Sequence, residues 1–156
     1  MNEIQIYKAS TKAEIEVVKV LFREYINGLG IDLGFQGIEE ELSKLPHKYA
    51  EPDGTILLAK VNGKEAGVVA LWKLEDEVCE MKRLFVREEY RSFGLGRALA
   101  EKLMDEARTK GYKLMKLDTL RRLVSANKLY QKLGFIETQP YNFNPQDDVA
   151  YFEIEL

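Results

Sequence analysis

The chain has 156 residues, of which 46% are hydrophobic and 31% are charged, and its formal net charge is −3. This composition excludes a disordered chain and predicts one domain over residues 1–156 with a single sizeable core. The single Cys79 cannot form an internal disulfide, and the single His47 argues against a Ser-His-Asp triad or a His-rich metal site.

Two further features of the sequence bear on where the chain works and what it contacts. No apolar run is long enough to cross a bilayer, and residues 1–5 do not resemble a signal peptide. We therefore expect a cytoplasmic protein without membrane contact. The negative net charge argues against a broad nucleic-acid-binding surface.

The first half of the sequence predicts a strand, two helices and a hairpin. Apolar residues at a period of two indicate strands, and apolar residues at i, i+3 and i+4 indicate helices. Asn62-Gly63 between two apolar runs is a strong signal for a tight hairpin turn. The predicted elements are, in chain order, strand 4–6, helix 15–26, loop 31–37, helix 38–45, strand 55–61 and strand 66–74.

The second half alternates strands and helices. Gly111 and Gly134 follow two of the helices, at positions where a left-handed cap is expected. The predicted elements are strand 78–86, helix 95–110, strand 112–119, helix 125–133 and strand 150–156. Hairpins followed by strand–helix–strand units predict an α/β sheet that is antiparallel early and parallel later.

The segment 91–99 joins a predicted strand to a strongly periodic helix and is suited to binding phosphate. Gly94 and Gly96 allow close backbone approach, and the first N–H groups of the helix have no intrahelical partner. Arg91 and Arg97 add charged donors for phosphate oxygens. The alternative is an ordinary glycine turn before a surface helix. A Walker loop is excluded because Arg-Ala follows Gly96, and the three-glycine dinucleotide fingerprint is absent.

Three segments resemble the motifs of the GNAT superfamily of acyl-CoA-dependent N-acetyltransferases. Arg91-x-x-Gly94-x-Gly96 is similar to the Gln/Arg-x-x-Gly-x-Gly/Ala loop, and residues 81–86 look like the strand that precedes it. Residues 126–135, ANKLYQKLGF, resemble the later motif A-x-x-L-Y-x-x-x-G-F. The resemblance implies a GNAT-like α/β (α+β) fold, with a mixed, largely antiparallel central sheet flanked by helices.

The resemblance also implies acetyl-CoA as co-substrate, with no metal. The glycine loop would hold the pyrophosphate of coenzyme A, and the splayed strand before it would pair with the pantetheine arm. The residues that the resemblance assigns to the coenzyme are Leu84, Phe85, Val86, Arg91, Ser92, Phe93, Gly94, Leu95, Gly96, Arg97, Asn127 and Lys132.

Two residues are candidates for acid–base chemistry. An aliphatic amine has a pKa of about 10.4, so it reaches the enzyme protonated and benefits from a base. Glu80 is the candidate base, and strand alternation places it on one face with Lys82, Leu84 and Val86. The alternatives are a solvated glutamate paired with Lys82, a water chain that reaches Glu80, or no dedicated base. The resemblance implies that Tyr130 is the general acid for the leaving thiolate, whereas helical spacing is also compatible with a core tyrosine.

The acceptor is expected to be an amine of a small molecule or a peptide. Its pocket is predicted from residues 30–49, 121–122 and 140–145. The aromatic residues that would wall the pocket or staple these loops are Phe35, Tyr49, Tyr141 and Phe143. The cations that would favour a carboxylate on the acceptor, or stay solvated, are Lys82, Arg83, Arg121 and Arg122.

Two other functions remain open from the sequence. One is a non-catalytic acyl-CoA-binding sensor module, which would keep the phosphate loop without turnover. The other is a tRNA-directed acetylating toxin, which the net charge of −3 makes less attractive. Dimers are common in the resembled family, so a homodimer is compatible with the sequence, which shows no interface.

Overall fold

The computed structural model describes residues 2–30, 37–144 and 146–156. Its strands form one seven-stranded sheet in the order β1-β2-β3-β4-β5-β7-β6. The strands are β1 Ile4–Lys8, β2 Thr55–Val61, β3 Lys64–Glu75, β4 Val78–Val86, β5 Leu114–Leu120, β6 Ile136–Thr138 and β7 Val149–Glu155. The β4–β5 pair is parallel and the other neighbouring pairs are antiparallel. The expected mixed, largely antiparallel sheet is therefore confirmed.

Within the described part of the chain, four α-helices flank the sheet, namely α1 Lys12–Leu29, α2 Ile38–Ser43, α3 Leu95–Thr109 and α4 Val124–Leu133. A capping box between Thr11 and Glu14 starts α1, and Gly30 ends it with a φ of 67°. In the described ranges the structure adds two 3₁₀-helices, His47–Tyr49 and Glu88–Phe93, which the sequence did not predict, and the short β6 was also missed. The predicted loop 31–37 and the aromatic Phe35 lie outside the described residues, except for Gly37.

The two faces of the sheet carry separate cores. We call them the α3 face, which is covered by α3 and α4, and the α1 face, which is covered by α1 and α2. The α3-face core contains Leu57, Leu71, Met81, Leu99, Leu103, Met115, Leu117 and Phe152. The α1-face core contains Val18, Leu21, Phe22, Leu42, Tyr49, Leu58, Val68 and Ala70. Burial of both faces is typical of a sheet that joins parallel and antiparallel strands within one domain.

A bulge at Arg83 changes which way the end of β4 faces. Arg83 has a φ of 59°, and the pairing with β3 shifts so that β4 carries one extra residue at this point. Met81 packs on the α3 face before the bulge, and Leu84 packs on that same face after it. The expectation that Glu80 and Lys82 share a face with Leu84 and Val86 is therefore wrong, because the extra residue reverses the alternation.

Close approach of β3 to the bulge requires a glycine. A Cβ added at Gly67 would lie 2.9 Å from the carbonyl oxygen of Phe85 and 3.1 Å from a methyl of Leu99. The backbone of β4 cannot shift easily to make room for a side chain at that distance. Gly67 of β3 therefore allows the bulged β4 to stay paired with β3.

β4 and β5 separate beyond the bulge. Their parallel ladder ends at the pair Glu80–Lys116, although β4 continues to Val86 and β5 to Leu120. Within the described residues, the β5-facing backbone groups of the last part of β4 therefore have no strand partner. Such groups need another hydrogen-bonding partner, so this opening is suited to an extended, amide-containing ligand.

Candidate active site

The loop that follows β4 is held in place by charged and aromatic contacts. Arg87 makes a two-pronged ion pair with Glu24 of α1, at 2.9 and 2.7 Å. Arg91 donates through Nε to the carbonyl oxygen of Val86 at 3.0 Å, which ties the 3₁₀-helix back to the end of β4. Tyr90 and Phe93 pack edge to face with ring centroids 6.0 Å apart. The loop thus reaches α3 in one defined conformation.

The start of α3 has the features of an anion-binding site. Gly94 is left-handed, with a φ of 72°, and turns the chain into the helix. Leu95 is fully buried and anchors the first turn, so the free N–H groups of that turn face outwards. A Cβ on Gly96 would lie 3.4 Å from Leu129 of α4, so the two helices meet here. Arg97 contacts Glu101 at 3.3 Å on the exposed side.

Three other residues that the sequence assigned to the coenzyme are Ser92, Asn127 and Lys132. Ser92 is exposed in the 3₁₀-helix, and Lys132 lines a shallow hollow beside Arg97 and Arg108. Asn127 donates through Nδ2 to the carbonyl oxygens of Leu120 at 3.0 Å and Leu123 at 2.8 Å. Its amide nitrogen therefore fixes the turn from β5 into α4. Its Oδ1 is buried without a hydrogen-bond partner among the described residues, and it remains free to accept one.

Tyr130 lies in the α3-face core, as the core interpretation of its helical spacing requires. Its ring packs against Phe135 and Phe152, with centroids 5.9 and 6.3 Å away. Burial raises the pKa of Tyr130, and the nearby Tyr25 and Asp118 raise it further. The hydroxyl is therefore protonated at neutral pH, which is the state that a general acid needs.

Glu80 is buried at the point where β4 and β5 separate. Its side chain is 1% exposed, which makes the solvated alternative wrong. Trp72 of β3, directly opposite in register, donates its indole N–H to Oε1, and the hydroxyl of Tyr141 donates to Oε2. Burial raises the pKa of Glu80, while Lys82 and the two hydrogen bonds oppose that rise. Because Lys82 lies 4.0 Å from Oε1, the ionised carboxylate has one nearby counter-charge.

A polar network continues from Glu80 to the segment between β6 and β7. Lys82 also lies 4.0 Å from Asp118 of β5, and Asp118 accepts a hydrogen bond of 3.1 Å from Asn142. Tyr151 of β7 donates to Oδ1 of Asn142 at 3.0 Å, and its ring packs edge to face on Tyr141. The segment that carries Tyr141 and Asn142 therefore closes over the α1 side of the sheet.

All three arginines singled out for an acceptor carboxylate already have acidic partners. Arg83 pairs with Glu41, Arg121 with Glu137 and Arg122 with Asp148, at 3.2, 2.7 and 3.6 Å. Lys48 differs from them. Its ammonium lies 3.4 Å from the centroid of the Trp72 ring, and it makes no ion pair within the described part of the chain. A cation over an indole face is stabilised without losing its charge for a ligand.

The sequence did not single out Trp72 or Lys48. It predicted Tyr141 only as an aromatic residue that walls the acceptor pocket or staples its loop. The available signal was the single tryptophan, placed in the strand that pairs with the Glu80 strand. An indole N–H in a buried strand needs an acceptor, and an isolated acid in an apolar strand needs donors. The β3–β4 register is needed to connect the two.

The described ranges show neither a metal site nor a membrane-spanning helix. No cluster of three or more His, Cys, Asp or Glu side chains there has the arrangement needed to hold a metal ion. No helix in those ranges is both long and apolar enough to span a membrane.

Comparison with known proteins identifies the family. The model of the acetyltransferase (GNAT) family matches residues 22–135. An uncharacterised N-acetyltransferase of Schizosaccharomyces pombe is 36% identical over 99% of this chain and 96% of its own length. An N-acetylaspartate synthetase of Xenopus tropicalis is 32% identical over 63% of this chain, and the matched part spans 37% of that protein.

A solved structure gives the same result for the fold. The crystal structure of PaiA N-acetyltransferase from Thermoplasma acidophilum, determined in complex with coenzyme A, superposes with a TM-score of 0.78 at 18% identity. The superposition covers 99% of this chain and 99% of that one. The family match, the close relative and the shared fold agree, and the chain belongs to the GNAT family of acetyltransferases.

Proposed function

We propose that the protein transfers an acetyl group from acetyl-CoA to the amine of a small molecule or peptide, by direct attack within a ternary complex. The observation that carries this proposal is the buried Glu80 at the end of the β4–β5 ladder, where the two strands begin to separate. A buried acid with fixed donors, placed beside such an opening, is the arrangement expected of a general base.

The residues present fit coenzyme A. The free N–H groups at the start of α3, with Arg91 and Arg97 beside them, suit the pyrophosphate. The unpaired backbone of residues 84–86 suits the amides of the pantetheine arm, because it presents strand-like donors and acceptors. The coenzyme A complex of the Thermoplasma acidophilum enzyme, which shares the fold, supports this assignment.

Glu80 and Tyr130 then carry out different proton transfers. Glu80 accepts the proton that the acceptor ammonium must lose before its nitrogen can attack. A backbone N–H of residues 84–86 donates to the carbonyl oxygen as negative charge develops on it. Tyr130 gives its hydroxyl proton to the departing sulfur, and it regains a proton from the nitrogen, which loses its second proton as the amide forms. Asp118 raises the pKa of both Glu80 and Tyr130, which makes Glu80 a stronger base and keeps the Tyr130 hydroxyl protonated until the thiolate leaves.

We assign the acceptor to amines that also carry a carboxylate. The ammonium nitrogens of Lys48 and Lys82 lie 3.4 and 6.0 Å from the centroid of the Trp72 ring, and the same indole donates a hydrogen bond to Glu80. Positive and negative groups that lie this close together match a zwitterionic amino acid. The relative from Xenopus tropicalis, named for the synthesis of N-acetylaspartate, supports the same class.

Thiol release tests the proposal. Purified protein and acetyl-CoA would be assayed against aliphatic amines in matched sets: amino acids, their carboxamides, peptides and polyamines. Saturable release with amino acids ahead of their carboxamides is the expected result. Calorimetric binding of acetyl-CoA without turnover of any amine would favour a sensor module. Absence of acetyl-CoA binding would overturn the proposal.

A further inference from the structure

Both oxygens of Glu80 are already occupied by donors. Trp72 donates to Oε1 and Tyr141 to Oε2, and with the side chain 1% exposed there is little open surface through which an amine could reach either oxygen. The charged and titratable groups that face Glu80 come from five elements, and they are Lys48, Lys82, Asp118, Tyr141 and Tyr151. A base enclosed in this way needs another group that passes the proton from the substrate amine to it.

The two donors differ in what they can do. An indole N–H donates and cannot accept, so Trp72 can hold the carboxylate but cannot pass a proton to it. Trp72 also lies in the middle of the sheet, paired in register with Glu80. A tyrosine hydroxyl donates and accepts at once. Tyr141 lies outside the strands, on the segment between β6 and β7, and its hydroxyl can both hold the carboxylate and pass a proton to it.

We propose that Tyr141 is a catalytic proton relay between the acceptor amine and Glu80. The proposal rests on the function proposed above. In the step, the ammonium N–H bond breaks as its proton moves to the Tyr141 oxygen, and the Tyr141 O–H bond breaks as its own proton moves to Oε2 of Glu80. The amine leaves the step neutral with its lone pair free, Tyr141 is again a neutral phenol, and Glu80 is a carboxylic acid.

The surroundings of Tyr141 favour a relay over a phenolate base. Burial and the adjacent Glu80 raise the pKa of Tyr141, so its hydroxyl stays protonated while it waits for substrate. The two transfers must therefore be concerted, because a separated phenolate beside a carboxylate would place two negative charges together. Packing of the ring against Tyr151, with centroids 5.3 Å apart, holds the hydroxyl in line with Oε2.

The variant Tyr141→Phe tests the relay, and Tyr112→Phe is its matched control. Both changes remove one hydroxyl and keep the ring, but the Tyr112 hydroxyl donates to the carbonyl oxygen of Asp53, away from Glu80. With the aliphatic amine that gives the highest rate in the panel, Tyr141→Phe should lower kcat about 10²-fold, the lower end of a general-base contribution. KM for acetyl-CoA should stay unchanged, and Tyr112→Phe should keep the wild-type rate.

A second readout needs no acceptor. Titration of the Glu80 carboxyl by ¹³C NMR should give a higher pKa in Tyr141→Phe, because the lost hydrogen bond favoured the charged form. Tyr112→Phe should leave the pKa of Glu80 where it is. A wild-type rate in Tyr141→Phe, or equal losses in both variants, would overturn the relay.

Glu80→Gln separates this failure from that of the proposed function. If Glu80→Gln keeps the wild-type rate, Glu80 is not the base and both proposals fall. If Glu80→Gln loses activity while Tyr141→Phe keeps it, the base stands and the relay alone is wrong.

Discussion

The proposed coenzyme side and the proposed acceptor side of this protein rely on different chemical groups. The coenzyme side is nearly continuous in sequence, from Leu84 to Arg97, and it offers mainly backbone groups. The acceptor side joins side chains from distant segments, namely Lys48, Trp72, Glu80, Asp118 and Tyr141. Backbone sites depend on glycine and strand geometry, whereas side-chain sites depend on the identity of each residue. Substitutions should therefore affect the two sides in different ways.

Glu80→Gln should have the largest effect, and only on the acceptor side. The amide keeps the size of the side chain and can still accept from Trp72, but it cannot take a proton. We expect kcat to fall about 10²–10⁴-fold with acetyl-CoA binding unchanged by calorimetry. Glu153→Gln is the control, because Glu153 lies on β7 beside Lys116 at 4.0 Å. Weaker acetyl-CoA binding in Glu80→Gln would show that the two sides are not separable.

The pH dependence of Glu80 should appear in both rate and stability. Wild-type kcat/KM should rise with pH as Glu80 loses its proton, at a pKa above the ordinary value of about 4.3, and Glu80→Gln should lack this limb. Because the folded-state pKa is raised, the folded protein binds more protons than the unfolded chain between the two values. The free energy of unfolding should therefore fall as pH rises through that window, relative to Glu80→Gln. If burial did not dominate the pKa of Glu80, denaturant titrations at a series of pH values would show the free energy of unfolding rising with pH instead.

Tyr130→Phe should give the next largest effect. The ring contacts with Phe135 and Phe152 remain, so the melting temperature should change little, while loss of the proton donor should lower kcat about 10²-fold. Tyr112→Phe should have the opposite pattern of effects on stability and rate, because the Tyr112 hydroxyl donates to the carbonyl oxygen of Asp53 at 2.5 Å. That variant should lose about 1 kcal/mol of stability and no rate. An unchanged kcat in Tyr130→Phe would make Tyr130 a core residue only.

Gly94→Ala should disturb the coenzyme side alone. Gly94 and Gly30 have φ values of 72° and 67°, and an added Cβ would meet no atom within 4 Å at either position. Alanine at each should cost about 1–2 kcal/mol of stability through backbone strain. Only Gly94→Ala should weaken acetyl-CoA binding, by roughly tenfold or about 1.4 kcal/mol. Equal affinities in the two variants would contradict the phosphate-loop assignment.

The same contrast explains what could be predicted from the sequence. The Asn62-Gly63 hairpin has the positive φ values, 51° and 80°, that such a turn requires, and strands 55–61 and 78–86 have the predicted bounds. These features depend on local residue patterns. The glycine loop is also local, so its position between strand and helix was predicted correctly.

Features that depend on pairing between distant segments were not predictable in the same way. Apolar residues continue through the Arg83 bulge, so nothing in the period-two pattern shows that one residue has been inserted. The contact of Tyr141 with Glu80 joins residues 61 positions apart. It depends on how the segment between β6 and β7 folds back over the sheet, and β6 itself is only three residues long. Long-range contacts of single side chains leave no periodic signal.

The smallest predicted effect concerns which acceptor the enzyme prefers. Lys48→Gln should raise KM about two- to fivefold for amino acids and leave their carboxamides unchanged, since an exposed ion pair contributes about 0.2–1 kcal/mol. Lys44→Gln is the control, because Lys44 already pairs with Glu40 at 2.7 Å. An equal change for both acceptor sets would mean that Lys48 acts by packing on Trp72. In that case the carboxylate of the acceptor would have to bind Lys82, which also lies near Glu80 and Asp118.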